Sequence, residues 1–84
     1  MSVNIYAGNL PYTLSEESLR EIFEKHGQVS SVKIVMDKTT GNSKGFGFVE
    51  MFQNNEAEKA IQILNGFEIN GRNIRVNFAK PRKS

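Results

Sequence analysis

Apolar and polar residues alternate from Val3 to Gly8, apolar residues recur at three- and four-residue intervals through Leu19, Ile22 and Phe23, and alternation returns between Val29 and Met36. Period two marks a half-buried strand, and a period between three and four marks an amphipathic helix. The cycle then repeats. Residues 44–51 alternate, Ala57, Ala60, Ile61 and Leu64 form a second helical stripe, and residues 73–78 send Ile74 and Val76 inward and Arg75 and Asn77 outward. The predicted order is βαββαβ. Each helix carries one apolar stripe and the strands alternate, so the reading is an α+β fold with two helices on one face of a four-stranded antiparallel sheet.

Local signals punctuate these elements. Ser15 is placed to cap the first helix, and Gly27, after Lys25 and His26, suits a left-handed turn at its end. In the strand that follows, Val32, Ile34 and Met36 are expected inside and Lys33 outside. Residues 37–43, DKTTGNS, form a reversing loop, which makes the next strand an antiparallel neighbour. Asn55 and Glu58 have capping-box spacing for the second helix. Gly66 ends that helix, and residues 67–71 lead into the last strand.

Composition narrows the field. A chain of 84 residues holds one small core, so residues 1–79 are expected to form a single domain and residues 80–84 a basic tail. There are no cysteines, which excludes disulfides and thiolate metal sites. No apolar run approaches the roughly 18 residues of a membrane span, and the start MSVNIYAGNL lacks signal-peptide character. The expected compartment is the cytoplasm. A net charge of +2 decides little, but its distribution matters. Glu16, Glu17, Glu21, Glu24, Glu56 and Glu58 fall in the helical segments, while Lys33, Lys38, Lys44, Arg75, Lys80, Arg82 and Lys83 fall in strands, loop and tail. Helices on one side would leave the molecule acidic behind and basic in front, unless the pattern is ordinary solvation of amphipathic helices.

Residues 44–51, KGFGFVEM, carry the chemistry. As a strand they place Lys44, Phe46, Phe48 and Glu50 on one face and Gly45, Gly47, Val49 and Met51 on the other. The second set faces the core, with the two glycines allowing close backbone approach by the helices. The first leaves two phenylalanines on the surface, and exposed aromatic pairs need a reason. Residues 5–10, IYAGNL, add Tyr6 to that face, since Ile5 and Ala7 point the other way. A flat ring beside a cation suits an unpaired base and its phosphate.

Together the two segments resemble the paired ribonucleoprotein motifs of the RNA recognition motif family. The octamer matches that pattern except at its last position, where Met51 replaces an aromatic on the core side. The resemblance covers nearly the whole chain and implies a ferredoxin-like sandwich with the two motif strands at the centre of the sheet. It implies base stacking by Tyr6 and Phe48, sugar packing by Phe46, and a phosphate contact by Lys44. Lys33 and Arg75 on the sheet and Lys80 and Arg82 in the tail are further candidates for phosphate, and Asn77 or the tail backbone for the 2′-hydroxyl. The chain is similar to short single-domain RNA-binding proteins of bacteria. The implied partner is single-stranded RNA, with single-stranded DNA also acceptable to the rings. Self-association or a protein partner would add avidity. The implied outcome is post-transcriptional regulation or RNA remodelling.

Other chemistries fit poorly. His26 has no second histidine or cysteine and is placed at a helix end, so no catalytic role is assigned to it. Gly45, Phe46 and Gly47 precede a strand rather than a helix, and are no phosphate loop. The phosphate cradle of acylphosphatases and the cysteines of copper carriers are both missing, so no enzyme activity, metal or cofactor is expected. A protein-binding or covered sheet is the surviving rival. Phe52 and Phe67 stay ambiguous, the first as an extension of the platform and the second as a cover for the edge of the last helix.

Overall fold

The computed structural model describes residues 2–79. Its elements are β1 (Val3–Gly8), α1 (Glu16–Glu24), β2 (Val29–Met36), β3 (Ser43–Met51), α2 (Asn54–Leu64), β4 (Glu68–Ile69), β5 (Arg72–Asn73) and β6 (Arg75–Phe78). Four strands form one sheet in the order β2-β3-β1-β6, with every neighbouring pair antiparallel. The two strands that carry the aromatic residues are therefore the central pair. Ile5, Ala7, Ile34, Val49, Met51 and Val76 of the sheet form one buried cluster with Leu19, Phe23, Ala57, Ala60 and Leu64 of the helices. Both helices thus cover the same face, as the alternation requires.

The helix ends follow the sequence only in part. Ser15 Oγ accepts from the Ser18 backbone N–H at 3.1 Å and caps α1 as expected. Gly27 does not take the left-handed conformation expected of it: α1 closes on Lys25 in ordinary helical geometry, and Gly27 is absent from the positive-φ positions. Its purpose is space. A Cβ there would lie 2.6 Å from Cβ of Glu56, whose carboxylate accepts from the Gln28 N–H at 3.1 Å. Asn55 is likewise not the cap of α2 but lies inside it, because the Ala57 N–H already bonds the Gln53 carbonyl at 3.0 Å.

A short hairpin, β4 with β5, precedes the last strand and was not expected. Its turn is Asn70-Gly71 with φ of 50° and 82°, the positive pair that a two-residue type I′ connection needs.

The pairing of β2 with β3 shifts register twice, once between Val29 and Ser31 and once between Ile34 and Met36. Between the pairs Ile34 with Gly47 and Met36 with Ser43, one residue of β2 faces three of β3, and Gly45 sits at φ 84°. Met36, expected inside, is 50% exposed. The glycines of β3 do not make room for helices either. A Cβ on Gly47 would strike the Lys33 carbonyl and lie 2.9 Å from Cα of Ile34, and one on Gly45 would lie 3.0 Å from the Tyr12 ring. It is the backbone of β2 that approaches Gly47.

Side chains bond to backbone groups of both outer strands. On β2 the Glu16 carboxylate accepts from the Ile34 N–H at 2.9 Å, and Arg20 donates to the Val29 carbonyl at 3.4 Å. On β6 the Val76 N–H donates to Asn65 Oδ1 at 3.0 Å. These three backbone groups are occupied, so a second sheet adding at either edge would have to displace a side chain.

Candidate nucleic-acid interface

Register builds the site. Lys33 lies opposite Phe48, Phe48 opposite Tyr6, and Tyr6 opposite Asn77, so these four residues form one row across all four strands. Directly opposed residues share a face of the sheet. The face is the one away from the helices, because Ile5, Val49 and Val76, each next in sequence to a member of the row, are fully buried. Arg75 stands opposite Gly8 in the adjacent row.

Tyr6, Phe46 and Phe48 touch one another. Their ring centroids are 6.1 Å apart for Tyr6 and Phe46, 6.0 Å for Tyr6 and Phe48 and 6.4 Å for the two phenylalanines. The last two contacts are edge-to-face, an arrangement that braces rings without stacking them on each other. Phe48 remains 40% exposed. Gly8 has a part that the sequence reading missed. A Cβ there would come within 2.8 Å of Tyr6 Cζ, so the tyrosine ring lies over the space that this glycine leaves. The available signal was a glycine two positions after an outward-facing aromatic, and hence on the same face.

Charge on this face is mixed. Lys33 and Arg75 are exposed, while Glu50 accepts a 2.7 Å hydrogen bond from the Ser31 hydroxyl. Lys44 is also exposed, but the bulge at Gly45 interrupts the alternation that linked it to Phe46. It stands at the foot of the β2–β3 loop. There the backbone N–H groups of Thr39 and Thr40 hold the Asp37 carboxyl below the usual carboxylate range; desolvation opposes them, and the charge of Lys44 adds the smallest lowering. Lys80 and Arg82 lie outside the described residues.

A second group at the rim of the sheet was also missed. Tyr12, 63% exposed, carries the Arg72 guanidinium 5.4 Å above its ring centroid, and Arg72 donates to Asn9 Oδ1 at 3.0 Å. Only the Asn70-Gly71 pair, by forcing the hairpin, could have hinted that Arg72 is turned back toward Asn9. Among the described residues, no group of three or more His, Cys, Asp and Glu side chains could hold a metal ion, and no helix is long and apolar enough to cross a membrane.

Phe52 and Phe67 are both exposed. Phe67 lines a pocket with Ile22, Lys25, His26, Ile63 and Leu64, on the helical side of the molecule. Neither ring is among the contacts of the aromatic trio. Met51 is fully buried, so the departure from the octamer pattern falls in the core.

Comparison with known proteins agrees with this geometry. The chain is 47% identical over 81 residues to RbpB of Nostoc sp., covering 96% of this chain and 79% of that protein. The crystal structure of RNA binding protein PG1 superposes with a TM-score of 0.90 at 43% identity, covering 98% of this chain and 99% of that one. The RNA15 RRM, solved with bound RNA (GU), superposes at 0.84 with 28% identity, covering 93% and 83%. The chain also matches chloroplastic ribonucleoproteins of Nicotiana and Spinacia, but spans only 26–35% of their length. The family model described as RNA recognition motif matches residues 5–75, across both central strands and both helices, and the chain belongs to that family.

Proposed function

We propose that the protein binds single-stranded RNA on the open face of its sheet. The observation that carries this reading is the row Lys33, Phe48, Tyr6 and Asn77, which sets two rings between a cation and an amide. Bases stack on Tyr6 and Phe48, and Phe46 packs against the sugars between them. Lys33, Lys44 and Arg75 neutralise phosphates, and Asn77 supplies a polar contact to the 2′-hydroxyl. The RNA bound to the similar RNA15 domain supports this reading. Single-stranded DNA is accepted by the same rings.

Residues 1–79 act as one binding domain, and residues 80–84 as a basic tail whose Lys80 and Arg82 meet phosphates. The activity is binding rather than catalysis, it takes place in the cytoplasm, and it serves post-transcriptional regulation or RNA remodelling. A partner protein or self-association raises its modest affinity through avidity.

The test is a titration with a labelled single strand and with the same sequence in a blunt duplex. Paired bases already stack on one another and cannot lie on the rings, so the single strand binds more tightly. Equal or tighter binding of the duplex refutes the reading. Truncation after Ala79 tests the tail separately, each lost phosphate contact lowering the log–log salt slope by about 0.7.

A further inference from the structure

Beyond the aromatic trio, the sheet ends in a rim built by the β1–α1 loop and the β4–β5 hairpin, elements far apart in sequence. Asn9 joins them. Its Oδ1 accepts from Arg72 at 3.0 Å, and its Nδ2 donates to the Asn73 carbonyl at 2.9 Å. To make both bonds Asn9 sits at φ 54°, a left-handed conformation that L-residues seldom adopt, although asparagine tolerates it best. Residues held in such conformations persist where the surroundings over-determine them, often at binding sites.

What this arrangement holds in place is a planar cation over an exposed ring. The Arg72 guanidinium lies 5.4 Å from the Tyr12 centroid. Arg20 is paired with Glu24, whereas Arg72 has no carboxylate partner among the described residues. A guanidinium has five N–H donors, and the bond to Asn9 leaves most of them open. Tyr12 reaches back to β3, since its ring would lie 3.0 Å from a Cβ on Gly45, the residue before Phe46. Asn9 in turn follows Gly8, over which the Tyr6 ring lies. The rim thus adjoins both strands that carry the platform rings.

We propose that Tyr12 and Arg72 form a further nucleotide subsite, in which a base leaving the Phe46 end of the platform stacks on the guanidinium plane and its phosphate is met by the open donors of Arg72. This rests on the RNA-binding reading above and lengthens its footprint. Arginine planes accept bases as aromatic rings do, without reading sequence. Asn9 and Asn73 are positioning residues that keep the plane over the ring before RNA arrives, so little ordering is needed on binding.

The experiment compares triuridylate, short enough to be held by the trio alone, with octauridylate, which extends past it. Wild type, Y12A, R72A, R72K and F48A are titrated by fluorescence anisotropy, with circular dichroism confirming that each is folded. Y12A and R72A should bind octauridylate at least about fivefold more weakly, the lower end of one stacking contact, and triuridylate nearly as well as wild type. R72K keeps the charge but not the plane, and should resemble R72A in affinity while retaining the wild-type salt slope. A purely structural role for the pair would weaken both ligands alike and would overturn the proposal, as would wild-type binding of octauridylate by Y12A, R72A or R72K. F48A reports on the parent reading, since it should weaken both ligands. If F48A binds both normally, the platform itself is wrong, which is a different failure from a silent R72A.

Discussion

Phe48 and Val49 are neighbours in the chain and similar in hydrophobicity, yet Val49 is fully buried and Phe48 is 40% exposed. Val49 lies opposite Ile5 and Val32, and Phe48 opposite Tyr6 and Lys33. One face of β3 uses its apolar surface to hold the fold, and the other keeps its apolar surface for a ligand. Hydrophobicity alone does not separate these roles. The separation lies in the company each face keeps: β-branched and aliphatic neighbours on one side, a lysine, a glutamate and an amide on the other.

The sharpest break of this contrast comes from the core side. Ile5→Ala removes a fully buried side chain from the cluster beneath β1 and β3, and should cost about 2–5 kcal/mol of stability in chemical denaturation. The affinity of the molecules that remain folded should stay at the wild-type value. A large drop in that affinity, with little change in stability, would mean that the two faces are not separate.

On the other face the effects exchange. Phe48→Ala should weaken binding to single-stranded RNA by about 1–3 kcal/mol and leave the denaturation midpoint nearly unchanged. Its salt slope should also hold, because stacking is lost and charge is not. Gly8→Ala acts more gently. The new methyl meets the end of the Tyr6 ring, and displacing that ring from its rotamer should lower affinity by about 0.5–1.5 kcal/mol. Isothermal titration of the two variants at matched salt checks the order, with Phe48→Ala the weaker binder.

Much of this was legible because alternation and helical period are written in single residues. Ile5, Ala7 and Val49 inside, with Tyr6 and Phe48 outside, follow from period two, and the central position of their strands followed from the family resemblance. Misreadings occurred where one residue served a tertiary purpose. Gly27 looked like a helix end but clears space for Glu56. Gly45 at φ 84° introduces a bulge that no alternation records, and Met36 turns outward beside it. Three successive polar residues, Gln53, Asn54 and Asn55, blurred the start of α2. A turn into the last strand is legible at Gly71 and Arg72, but the structure centres it on Asn70-Gly71 and pairs its flanks as a hairpin. The meeting of Arg72 with Asn9 and Tyr12 was not readable, since it depends on two distant loops closing on each other.

The smallest expected effect sharpens the comparison at the loop that feeds β3 into the ligand face. Asp37 accepts from the Thr39 N–H at 2.7 Å and the Thr40 N–H at 3.3 Å, and these bonds, then Lys44, hold its carboxyl below its ordinary value of 3.8. A carboxyl lowered in the folded state stabilises the loop above its unfolded value, and that contribution is lost as pH falls through the folded value. The loop is exposed, so the loss should be local. Lowering the pH from about 5 should shift and then broaden the Thr39 and Thr40 amide resonances while those of Tyr6 and Phe48, in the paired strands, stay in place. Asp37→Asn should abolish the titration of the two threonine amides. If the amides of β1 and β3 move together with those of the loop, the loop and the ligand face are one cooperative unit, and Asp37 helps to set the position of Phe46 as well as that of Lys44.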